Sequence, residues 1–315
     1  MPITTEVPRN LQQVKKTLLK EFNPKKKKTV NSEKVVRYIS NQGLEVKPFV
    51  IFDSDEHQKL VDIIGTTELI NTDYTDKWGE YSQIIDLAII KRNEESEELN
   101  GTIFTEGWLA HELAHASQMY RQLMAPTPTT IQTLRSGFVI ANSANKWGHF
   151  IEEGFAEYYR GMYVANNISE EYKAKLASSM GYSNLEPDDT LSLTTPNNKL
   201  IPLPLKYFFL KRDNIACTDI SIPGYGLELL FNKDPKLQNT LVQSRGSLRY
   251  LRAVAQRINT IHPGLYGSMQ RSALKTEDFN RIILTIIDVL GGISRTINAT
   301  GELKEDWETN LKLRQ

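Results

Sequence analysis

Apolar residues recur at helical spacing over residues 9–21 and 31–42, and a lysine-rich break separates the two segments. Residues 46–52 (VKPFVIF) and 84–91 (IIDLAIIK) are runs of β-branched and aliphatic residues and predict strands. The acidic stretch RNEESEELNG at 92–101 reads as a loop. Thr105 suits the N-cap of a helix running to about residue 122. Residues 123–144, which include Pro126 and Pro128, read as a connecting excursion, and a second long helix is expected over 145–165. Residues 180–200 are polar and turn-rich. Leu191-Ser192-Leu193 and the run 200–210 fit a hairpin, whose prolines confine it to an edge. From about residue 225 the pattern is helical again in three stretches, the last closed by Gly291-Gly292.

This order, mixed elements first and helices afterwards, predicts an α+β fold. The chain has 315 residues, enough for one large domain or two ordinary ones. Lys plus Arg equals Asp plus Glu at 38 each, so no overall field favours nucleic acid or an acidic membrane as partner. Lys15, Lys16, Lys20 and Lys25 to Lys28 make the start locally basic, which reads as a solvated N-terminal segment. The one cysteine, Cys217, excludes an intrachain disulfide and fits a reducing compartment. The first residues lack the apolar core of a secretory signal, and no apolar run is long enough to span a bilayer. A soluble, cytoplasmic protein is expected.

Candidate chemistry lies at His111-Glu112-Leu113-Ala114-His115, an HExxH motif. On a helix, positions i and i+4 stack on one face, so both imidazoles can address one ion. Glu112 stands about 100° round the helix from His111, beside that line, where a carboxylate can take a proton from a metal-held water. A catalytic zinc needs a third protein ligand and an open position. His149, Glu153 and Glu157 form one stripe on the second helix at i, i+4 and i+8, with Glu152 off it. The neighbours Phe150, Ile151, Phe155, Ala156, Tyr158 and Tyr159 predict that this helix is substantially buried, and buried carboxylates need a partner. Spacing alone leaves His149 and Glu153 open as the third ligand.

HELAH followed by EEGFAEYY resembles the gluzincin zinc metallopeptidases, thermolysin-like and minigluzincin-like, over about residues 84–165. The spacing departs from theirs, because 37 residues separate His115 from Glu153, longer than is usual in that family. The resemblance implies a zincin-like unit of a small sheet and two metal-binding helices. It maps Glu153, in its E-G-F-A context, to the third zinc ligand and Glu157 to a carboxylate that orients an imidazole. It also implies a downstream tyrosine or histidine that steadies the oxyanion, for which Tyr225 is the first choice and His262 the second, with Tyr266 behind them. The expected organisation is a basic helical segment at 1–44, a zincin-like metal-binding subdomain at 45–165, and a mostly helical C-terminal subdomain at 166–315 that completes a cleft. The expected activity is zinc-dependent hydrolysis of a peptide or protein substrate, with Glu112 as base and the run 84–90 as the strand beside which the substrate lies. The alternative is a zinc-bound regulatory or binding protein with little general peptidase activity.

Overall fold

Helices and short strands alternate early in the chain and helices dominate late, an α+β arrangement. The structure is a computed structural model that describes residues 4–6, 11–23, 30–65, 77–117, 121–127, 130–141, 146–179, 186–194, 200–211, 214–246 and 250–290. The stop expected at Gly291-Gly292 and Lys25 to Lys28 lie outside the described residues. No helix among the described residues is long and apolar enough to cross a membrane. The chain divides into two units, one of Met1–Trp147 with Val242–Arg249 and one of Gly148–Leu241 with Tyr250–Gln315.

The first unit opens with β1 (Thr4–Glu6), α1 (Leu11–Glu21) and α2 (Ser32–Asn41), followed by β2 (Phe49–Asp53) and α3 (His57–Ile64). Next come β3 (Gly79–Ser82), β4 (Leu87–Arg92), α4 (Glu94–Asn100) and α5 (Ile103–Ala116). The order in the central sheet is β2-β4-β3, with β2 parallel and β3 antiparallel to β4. Alternation along the strands gives the sheet two apolar faces. Val50, Phe52, Leu87 and Ile89 join Leu18 and Phe22 of the α1 segment and Leu60 and Ile64 of α3 in one core. Ile51, Ala88 and Ile90 have the opposite parity, on the face where α5 packs against β3 and β4. Burying each such large apolar side chain contributes about 1.5–3 kcal/mol before the entropy of ordering it is counted.

The position of β4 corrects one expectation. The part of the run 84–90 in β4, 87–90, lies in the middle strand of this sheet, and both its sides are occupied by neighbours. Its backbone groups are therefore committed to the ladder and not available to an added peptide. The sheet ends in β2 on one side and, on the other, in β3, whose Gly79 lies against Glu112. The acidic stretch 92–101 is a second correction, since it folds into α4. Asn93 caps the helix by accepting from the Ser96 N–H at 2.9 Å, Glu94, Glu95 and Glu97 complement its positive end, and Gly101 closes it at φ 72°. Lys15, at the basic start, is not simply solvated, because its ammonium donates to the Asp86 carbonyl at 2.7 Å.

The excursion expected at 123–144 is instead an antiparallel array of β5 (Arg121–Thr127), β6 (Thr130–Ser136), β7 (Val139–Ala141) and β8 (Lys146–Trp147). Strand β6 pairs with β5, β7 and β1. Pro126 falls within a register shift between Met124 and Thr127, a place where a missing N–H disturbs the ladder least. The first motif helix is correspondingly shorter than expected. It starts at Ile103, not after Thr105, and ends at Ala116, and residues 121–122 belong to β5.

The second unit begins with α6 (His149–Asn167) and α7 (Glu170–Ser179). The antiparallel pair β9 (Thr190–Thr194) and β10 (Leu200–Pro204) is the predicted hairpin, and β11 (Phe209–Lys211) pairs with β12 (Asn214–Ala216). Then come α8 (Ser221–Lys233), α9 (Pro235–Gly246), α10 (Leu251–Ile261), α11 (Leu265–Gln270) and α12 (Thr276–Leu290). Helix α6 packs along α8, so it belongs with the elements after it. The expected subdomain 45–165 therefore does not coincide with either unit.

Candidate metal centre

Helix α5 is buried nearly all round, with Phe104, Trp108, Leu109, Ala110, Leu113 and Ala114 among its interior residues. A helix of this kind carries polar groups only where something engages them. Thr105 donates to Glu97 at 2.5 Å, and Glu106 accepts the Asn31 backbone N–H at 3.0 Å, so these two polar residues anchor the helix. His111 is buried and His115 half-buried, and their Nε2 atoms stand 3.1 Å apart. Two nitrogens bound at 2.0–2.1 Å to one tetrahedral zinc would be separated by about 3.3 Å. The imidazole pair is thus close to the separation that a shared ion requires. Trp108 lies one turn before His111 with ring centroids 5.2 Å apart, and Trp78 stacks at a tilt on Trp108 at 4.9 Å.

Glu112 is buried on the side of α5 that meets β3. A Cβ built on Gly79 would lie 2.8 Å from the Glu112 Cγ and 3.1 Å from its Oε1. Only a residue without a side chain lets this strand approach the carboxylate so closely. In the sequence Gly79 carries little signal of its own, being an isolated glycine that opens a four-residue strand.

In the second unit, Gly148 turns the chain into α6 at φ 91°, a left-handed conformation that suits glycine. The first amides of α6 are satisfied by Ser272, whose carbonyl accepts from Gly148 and His149 and whose hydroxyl accepts from Phe150. His149 and Glu153 lie one turn apart, with Nδ1 and Oε1 separated by 3.9 Å. Below them Glu157 is fully buried. It accepts from Arg160 through two nitrogens at 2.7 and 2.5 Å, and from the Ser221 hydroxyl at 2.8 Å. Burial alone would lower the pKa of Arg160, but the Glu157 carboxylate outweighs it and the guanidinium is held above its ordinary value. The resemblance implies an imidazole for Glu157 to orient; the bonds described for it pair it with Arg160 on the same helix and tie α6 to the start of α8. Arg160 stands three residues after Glu157, a pairing distance on a helix, and that E-x-x-R spacing is the signal by which it could have been found.

Helices α6 and α8 approach closely. A Cβ on Gly154 would meet the Pro223 carbonyl oxygen at 2.6 Å, and one on Gly224 would meet the Glu157 Cγ at 2.7 Å. Tyr225 lies buried in α8 next to this approach, and Gly154 directly follows Glu153. Burial, and then the Glu228 carboxylate, push the Tyr225 phenol up to about 12, so it keeps its proton near neutral pH. His262 caps the C-terminus of α10, its N–H donating to the Ile258 carbonyl at 3.1 Å. The Tyr266 hydroxyl is engaged by Gln270 at 3.2 Å.

His111, His115 and Glu153 each offer one ligand atom, and the three atoms lie within 4.8 Å of one another. No other group of three such residues is found among the described residues. Two imidazoles and a carboxylate are a donor set that suits a borderline-soft divalent ion such as zinc. Glu112, Glu157, Tyr225 and His262 are not members of this group. A comparison of the chain with protein-family models, with curated proteins and with solved structures finds no match in any of the three.

Proposed function

We propose that this chain is a zinc-dependent peptidase built on a zincin-like unit, in which His111, His115 and Glu153 hold the metal and Glu112 is the general base. The observation that carries this reading is the convergence of one ligand atom from each of the three residues within 4.8 Å. A zinc ion held by this donor set supplies Lewis acidity toward water and toward a peptide carbonyl. Glu112 takes a proton from the attacking water and passes it to the leaving amine, so one carboxylate serves both halves of the reaction. Tyr225, protonated and beside the helix that carries Glu153, offers an O–H to the developing oxyanion, with His262 as the second candidate. An extended substrate adds at β3, the end strand of the sheet that lies against Glu112, in place of the run 84–90.

The purified protein should cleave members of a mixed peptide library, lose that activity to a chelator, and regain it with added zinc. Zinc bound without cleavage of any peptide would remove the peptidase reading and leave a metal-bound regulatory or binding protein. Gly79→Ala gives a sharper check on the base. The added methyl would press on Glu112, so kcat/KM on any cleaved peptide should fall by about 10²-fold while zinc content is unchanged. Wild-type turnover in the folded variant would show that Glu112 is not held by its contact with β3.

A further inference from the structure

We infer that His149 is a positioning residue for Glu153, donating from Nδ1 to the carboxylate oxygen that does not face the ion. This rests on the reading that Glu153 is a metal ligand. His149 Nδ1 is buried and makes no hydrogen bond among the described residues. A buried nitrogen in that state is costly, and native structures retain few of them without a use. The nearest acceptor described for it is Glu153 Oε1, 3.9 Å away and one turn along the same helix. That separation exceeds hydrogen-bond length by about 1 Å, a shift within the reach of a side chain.

The chemistry of the carboxylate makes this partner useful. Where a glutamate ligates through one oxygen, an N–H aimed at the other fixes the plane of the group. His149 is itself held in place. Its backbone N–H and that of Gly148 donate to the Ser272 carbonyl, and the N–H of the next residue, Phe150, donates to the Ser272 hydroxyl oxygen. The imidazole therefore projects from an anchored first turn and not from a fraying helix end. His149 is not in the group whose ligand atoms converge, so its role is exerted through Glu153 and not on the ion.

The test is zinc affinity, measured by competition with a chromophoric chelator, for the wild-type chain and four variants, with the melting temperature of each metal-free protein alongside. His149→Ala should bind zinc about 10 to 100 times more weakly. His149→Asn places an amide N–H near the position of Nδ1 and should recover most of that loss, whereas His149→Gln, which reaches toward the Nε2 position, should not. Metal-free melting temperatures should agree across the His149 variants, which a purely structural role would not allow. Glu153→Gln should bind more weakly than any of them. Wild-type affinity in His149→Ala overturns the inference while leaving the metal site intact. Retention of zinc in Glu153→Gln with complete loss in His149→Ala would make the histidine the ligand and overturn it as well. A wild-type chain that binds no zinc overturns both this inference and the function it rests on.

Discussion

Glu112→Gln is expected to keep its zinc and its melting temperature and to lose hydrolysis by about two to four orders of magnitude. The substitution preserves the size and shape of the side chain, so its packing against the backbone of β3 at Gly79 survives. What disappears is the basicity. A neutral amide cannot take the proton of the attacking water, nor return it to the amine that leaves. Glu112 is also outside the group of three converging ligand atoms, so the metal content has no reason to change. The measurement is kcat with the best peptide found, beside zinc content and a thermal scan. Turnover at the wild-type rate would eliminate Glu112 as the base, even in a protein that holds zinc.

The second large effect concerns stability. Glu157→Ala is expected to destabilise the folded protein by about 3–5 kcal/mol, because it leaves the buried Arg160 guanidinium without its carboxylate. The Ser221 hydroxyl loses an acceptor in the same step. Replacing both members of the pair with apolar residues, Glu157→Leu with Arg160→Met, should cost less than the single change, since no lone charge then remains inside. Chemical denaturation of the three proteins measures this. A single-variant loss below about 1 kcal/mol would mean that Arg160 satisfies itself elsewhere; the Tyr207 carbonyl, already at 3.3 Å, is the available acceptor.

Much of the candidate site was legible because it is local. HELAH places two histidines on one helical line by spacing alone, and the buried character of the second motif helix follows from its apolar neighbours. Glu153 was reached only through its E-G-F-A context. The stripe it shares with His149 left the two equivalent by spacing, and their difference emerges from three-dimensional placement. The parts that could not be read depend on contacts distant in sequence. Nothing in the run 84–90 tells whether it is a middle or an edge strand; that is decided by β2 and by the short, glycine-led β3 on its other side. Pro126 and Pro128 masked a sheet in which β6 finds β1, more than a hundred residues earlier, and the register shift near Pro126 is what lets a proline sit there. The stretch 92–101 departs from expectation for a local reason. Its density of charge suggests a loop, although Asn93, the glutamates after it and Gly101 together spell a short capped helix.

The central claim is that His111, His115 and Glu153 hold one zinc ion, and elemental analysis of the purified, zinc-supplemented chain tests it most directly. The expected result is about one zinc per wild-type chain, lost in His111→Ala and His115→Ala and strongly reduced in Glu153→Gln, with each variant still folded. A folded wild-type chain that carries no zinc, or a His115→Ala variant that carries as much as the wild type, would contradict it.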